Sequence, residues 1–180
     1  MSTTAGVSAS ELAVRAIRIM ADGDRADFDA LVHPDAVNRE DDVEPPECRV
    51  GGPAGYYATA LWLRTAFEGL AYEIHHVIAN GNLVAINSTM SGRHVAPFAV
   101  YTPAGAVDTV FPPTGKTFAI TQSHWFRLED GMVVEHWANR DDQGMAMQLG
   151  WVPPSPWYLL KAALATRRAR RREATRPSYG

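Results

Sequence analysis

A single cysteine, Cys48, is all the thiol chemistry this sequence carries. That excludes an internal disulfide framework and the usual multi-cysteine zinc sites, and makes a reducing compartment, the cytoplasm, the expected home. No stretch approaches the roughly 20 apolar residues that a membrane-spanning helix requires, and the opening MSTTAGVSASELAV lacks the basic segment and apolar run of a secretory leader. Internal repeats and low-complexity runs are absent too. Cys48 has only Arg49 as a basic neighbour in an acidic, proline-rich segment, which argues against a reactive thiol. PPTGKT has the ending of a phosphate loop, but the position five residues before Gly115, where that loop needs glycine, is Val110.

What is present suits a soluble globular chain. Its 180 residues are enough for one core, and the 46% hydrophobic and 21% charged fractions are ordinary for that class. The net charge of −3 conceals a division, because residues 1 to 150 carry 10 basic against 19 acidic side chains and residues 151 to 180 carry 7 against 1. The expected organisation is one domain over residues 1–150 followed by a basic helical tail over 151–180.

Ser8 stands three residues before Glu11, the spacing of a capping box, and apolar residues at helical spacing follow it as far as DGD. A second short helix is expected from Ala26 to Val32, ending at HPD because proline disfavours helical geometry in the residue before it. NREDDVEPPECRVGGP reads as a loop, and AGYYATALWLRTAFEG as a third helix ending near Gly69. From Ala71 the period changes to two. AYEIHHVIA and LVAINSTMSGRH flank NGN, a strong hairpin signal, and KTFAITQSHWFRL turns through EDG into MVVEHWAN. The segment VAPFAVYTPAGAVDTVFPPTG between them reads as a long excursion. Three helices followed by about four mostly antiparallel strands define an α+β protein.

Alternation along these strands sorts the side chains by parity. The even set, including Tyr72, Met90, Gln122, His124, Phe126, His136 and Ala138, is the more apolar and is expected to face inward. His94, His124 and His136 share that parity on three strands, and neutral imidazoles there are the natural proton-transfer groups, with His124 and His136 the first candidates. A three-histidine metal site is the other arrangement these residues allow; such sites usually fix their histidines with nearby carboxylate partners, and no metal is assigned. Asp141 and Asp142 read first as a helix cap with a first-turn carboxylate, and Asp141 is kept as a further acid/base candidate.

HPDAVN (His33 to Asn38), SGRH ending at His94, PPTGK, DGMVVEHW and GMAMQLG ending at Gly150 together resemble the SnoaL-like polyketide cyclase (ester cyclase) family over most of residues 8–150. The resemblance implies a cone-shaped α+β barrel of the nuclear-transport-factor and ketosteroid-isomerase type, with helices and a curved sheet around an apolar pocket. It also implies a cofactor-free homo-oligomer that closes a ring of an aromatic polyketide by intramolecular aldol chemistry. The pocket histidine of such cyclases matches His124, and Asn38, Tyr72, Met90, His94, Gln122, Phe126 and Ala138 are expected to contact the substrate. The acid/base aspartate of those cyclases falls at Ala138, which cannot abstract a proton. Three readings follow: a cofactor-independent acid/base enzyme acting on an aromatic or polycyclic intermediate, a non-catalytic binding protein of the same fold, or a partner-binding module using the tail.

Trp125 and Trp137 interrupt the polar odd face and lead to the expectation of a homodimer through it. The tail is expected to be helical from about Trp157 to Arg172. Its arginines are bunched at one end, not striped along one face, so neither nucleic acid nor membrane is expected as a partner. Trp157, Tyr158, Leu159, Leu160 and Leu164 are instead expected to dock on the barrel or on a neighbouring subunit.

Overall fold

The computed structural model describes residues 7–175. Helix α1 (Ala9–Asp22) begins with both halves of the capping box, Ser8 and Glu11 each bonding the other's backbone N–H. Helix α2 (Arg25–Leu31) repeats the device with Asp24 and Asp27. Each box satisfies donors that the first helical turn leaves free. Helix α3 (Gly52–Ala66) follows two 3₁₀ turns, Asp41–Val43 and Pro46–Val50.

Among the described residues there are seven strands where about four were expected. The main sheet runs in the order β1 (Val32–Asn38), β7 (Met132–Arg140), β6 (Thr117–Glu129), β3 (Leu83–His94) and β2 (Phe67–Asn80), with β1 parallel to β7 and the other pairs antiparallel. A separate hairpin joins β4 (Phe98–Tyr101) to β5 (Val107–Phe111). Strand β1 occupies the segment read as a helix end and loop. It tolerates Pro34 because it is an edge strand whose register with β7 is broken between Val32 and Val37. The β4–β5 hairpin lies within the expected excursion, its short strands hidden among proline and glycine.

The even positions of β3 and β6 are buried as expected, from Val84 to Met90 and from Phe118 to Leu128. Parity fails where the chain bulges. In β2 a register shift between Ile74 and His76 turns Val77 toward the core and leaves His76 and Ile78 outside. In β7 a shift opposite Arg127 and Leu128 buries Val133 in place of Val134. An extra residue reverses which face every later side chain meets.

Helix α4 (Asp142–Leu149) closes the end of the body. Helix α5 (Pro156–Ala174) lies along β5, where Thr166 Oγ1 and Glu173 Oε2 accept the Val110 and Val107 N–H groups and Arg170 donates to the Val107 and Asp108 carbonyls. Of the apolar residues expected to dock, Tyr158 packs beside the core and donates to Pro112 O. Trp157, Leu159, Leu160 and Leu164 are exposed, because polar side chains make the contacts with the β5 edge. No helix among the described residues is long and apolar enough to cross a membrane.

Candidate functional site

Between α1, α3 and the concave face of the sheet lies a cavity of about 330 Å³, toward the small end of the range for ligand pockets. Its walls are largely aromatic and aliphatic, with Trp62, Phe67, Tyr72, Phe98, Phe111 and Trp151 prominent. Val43 and Asp142 line it while remaining exposed, which marks its opening to solvent.

A row of hydrogen bonds crosses the apolar interior. His136 Nδ1 lies 2.9 Å from Asn38 Oδ1, His136 Nε2 lies 3.0 Å from His124 Nδ1, and His124 Nε2 lies 2.7 Å from Gln122 Oε1. Gln122 Nε2 ends the row on Met90 Sδ at 3.1 Å. The register explains the assembly: β6 brings Gln122 and His124 to one face, β7 places His136 beside Phe126, and β1 pairs Asn38 with His136. The stacked imidazoles are 5.3 Å apart, and the Tyr72 ring meets His124 edge-on.

Burial is the main cause that holds both imidazoles below their ordinary pKa. The neighbouring ring adds to it for His136, and the positive Arg140 for both. The proton count then becomes informative. Three bonds in series ending on two amide oxygens require three ring protons, hence one positive charge, whereas the neutral pair has two. One terminal amide must therefore present its NH₂ group when the pair is neutral. Asn38 Oδ1 also accepts the Glu40 N–H at 3.3 Å, a donor that cannot rotate, while the other bond of Gln122 is to a weak thioether acceptor. Gln122 is the end that turns, which leaves the lone pair on His124 Nε2. The row can thus take up one proton at that atom by rotating a single amide.

Arg140 and Glu44 also line the cavity, from positions that parity did not single out. Arg140, at the end of β7, pairs loosely with Glu40 at 3.6 Å and with Asp142 at 3.5 Å. Glu44, in the segment read as a plain acidic loop, is 2% exposed and accepts a 2.5 Å hydrogen bond from Thr59 Oγ1. Burial pushes its carboxyl up to about 7, against the lowering effect of Thr59. Only the path of the chain between β1 and α3 carries Glu44 inward, and no periodicity marks it.

Asn38, Tyr72, Met90, Gln122, Phe126, His124 and His136 all line the cavity. His94 does not. It is fully buried against Phe67 and Trp151, and burial lowers its pKa, so it is a core histidine at the far end of β3. Asp141 is exposed and caps α4, accepting the Gly144 N–H at 2.8 Å. Ala138 stands opposite His124 without lining the cavity, and its N–H donates to Glu40 Oε1 at 2.9 Å. Among the described residues no group of His, Cys, Asp or Glu is arranged to hold a metal ion.

The SnoaL-like polyketide cyclase family model matches residues 11–149. The aklanonic acid methyl ester cyclase DnrD of Streptomyces peucetius is 29% identical over 151 residues, 82% of this chain and 95% of its own length. The nogalonic acid methyl ester cyclase of Streptomyces nogalater is 29% identical over 135 residues, 73% of this chain and 86% of its own. Among solved structures, the polyketide-cyclase-like IdmH of Streptomyces antibioticus superposes with a TM-score of 0.61 at 25% identity, covering 80% of this chain and 99% of that one. The aromatic-walled cavity and its histidine row therefore sit in a chain that belongs to the SnoaL-like polyketide cyclase family.

Proposed function

We propose that this chain is a cofactor-independent acid/base enzyme that closes a ring on an aromatic or polycyclic polyketide intermediate. The observation that carries the proposal is the Asn38–His136–His124–Gln122 row set into an otherwise apolar cavity. In the reaction the bound substrate displaces the Gln122 amide from His124 Nε2, that nitrogen takes a proton from the acidic carbon, and the resulting enolate attacks a ketone carbon of the same molecule. A C–C bond forms, the carbonyl oxygen becomes a hydroxyl by taking up a proton, and no atom is lost. A neutral imidazole held dry is a weak base toward water, but the enolate formed beside it offsets the charge of the imidazolium. Arg140, whose ion pairs are loose, is placed to attract the developing negative oxygen.

Relatives of this chain are named as cyclases of aklanonic acid methyl ester and nogalonic acid methyl ester, so these two esters are the natural probes. Incubation with wild-type protein, followed by chromatography and NMR for a ring-closed isomer of unchanged mass, tests the reading. Ala138 supports a second one, a binding protein of the same fold that has lost its base. Retention of either ester without conversion selects that alternative.

A further inference from the structure

We infer that Glu44 is a second catalytic residue of this cavity, a carboxylic acid that donates its proton to a carbonyl oxygen of the ligand. The inference rests on the acid/base reading above and supplies its missing half, the donor that protonates the new alkoxide while His124 holds the proton taken from carbon. In the family resemblance the carboxyl belongs on β7, where this chain has Ala138. Here a carboxyl reaches the cavity from the loop between β1 and α3.

The surroundings of Glu44 suit a group that changes protonation. Thr59 Oγ1 lies 2.5 Å from Glu44 Oε2 and 3.2 Å from Gly55 O. A hydroxyl has one proton to give. When Glu44 is ionised, Thr59 donates to Oε2; when Glu44 carries its proton on Oε1, Thr59 goes on donating to Oε2 and the acid proton stays available to a ligand. Both states keep their hydrogen bonds without moving a heavy atom. Arg49, the nearest cation in sequence, is committed to the carbonyls of Asp42, Glu44, Thr102 and Pro103. It clamps the loop, and among the described residues the Glu44 carboxyl has no salt bridge. The other groups acting on it are Asp41 and Cys48 from its own loop and Arg140 from β7, with Tyr56 beside Thr59 on α3. Burial outweighs them and brings the proton equilibrium close to neutrality, the range in which an acid catalyst gives up and regains its proton readily.

Carboxyl ¹³C NMR on the whole protein, with Glu44 assigned by its absence in Glu44→Gln, tests the resting state. A titration near pH 7 is expected, and a carboxylate already ionised at pH 5 overturns the inference. Donation to a ligand is read with 9-fluorenone, a neutral tricyclic ketone, by quenching of tryptophan fluorescence. Wild-type affinity should fall about tenfold from pH 6 to pH 8, and Glu44→Gln, which keeps a donor at every pH, should show no such change. The same pH dependence in Glu44→Gln contradicts the inference. With the two methyl esters, Glu44→Gln should lose about 10²-fold in kcat together with the alkaline limb of the profile. If His124→Ala is inactive while Glu44→Gln turns over at the wild-type rate, Glu44 is removed and the cyclase reading stands. If wild type converts neither ester, the cyclase reading fails, and the NMR and fluorenone results still decide whether Glu44 is a donor.

Discussion

At the scale of single residues, the cavity encloses groups whose charged forms it disfavours, and this fixes how stability depends on pH. Glu44 is raised from an ordinary 4.5 to about 7. The unfolded chain therefore releases this proton first, and the stability linked to it is present below pH 4.5 and lost as pH rises through 7. Glu44→Gln removes that loss, so the variant should exceed wild type by about 3 kcal/mol above pH 7 and match it near pH 4.5, as read from urea midpoints. The histidine pair acts with opposite sign. Its folded-state pKa values are depressed, so below about pH 6.5 the unfolded state binds more protons and the fold weakens as pH falls. Loss of stability between pH 6.5 and 5 should persist in Glu44→Gln.

At the scale of elements, the turn into α4 and the cover over β5 have distinct roles. Asp141→Ala deletes a cap and should cost about 0.5–2 kcal/mol by thermal denaturation while leaving turnover within a factor of two of wild type. Removal of residues 153–180 uncovers the β5 edge that Thr166, Arg170 and Glu173 now occupy, and should lower Tm or shift the oligomer distribution. What could be read from the sequence followed the regularity of these elements. The Ser8 capping box, the hairpin at Asn80–Gly81 and the even face of β6 obey local rules, so α1, β2 with β3, and the pairing of His124 with His136 were open to inspection. Strand β1 was hidden because its order comes from a parallel partner about 100 residues away, and parity cannot foresee a bulge. His94 shared the parity of the other histidines but does not line the cavity, because it ends β3 packed against Phe67 and Trp151. Glu44 was invisible for a different reason: only tertiary packing tells a buried loop carboxylate from its solvated neighbours.

At the scale of the whole molecule, the concave face of the sheet lines the cavity and the convex face carries a pair of tryptophans. Trp125 and Trp137 pair across β6 and β7 with rings 6.0 Å apart and nearly parallel, both half-buried on that outer face. A homodimer through this surface is our proposal, and light scattering at micromolar concentration should report twice the 19.7 kDa chain mass. Trp125→Arg should then yield a monomer. Trp157, Leu159, Leu160 and Leu164 form a second exposed apolar surface on α5. In the interior, the proposed reaction requires a pair of neutral histidines to remove a proton from carbon. Its most direct measurement is the rate at which deuterium from D₂O enters the acidic carbon of the two methyl ester probes, followed by NMR with wild type and with His124→Ala of verified fold. The exchange rate should be about 10²–10⁴-fold lower in the variant; equal rates in the two proteins would remove His124 as the base.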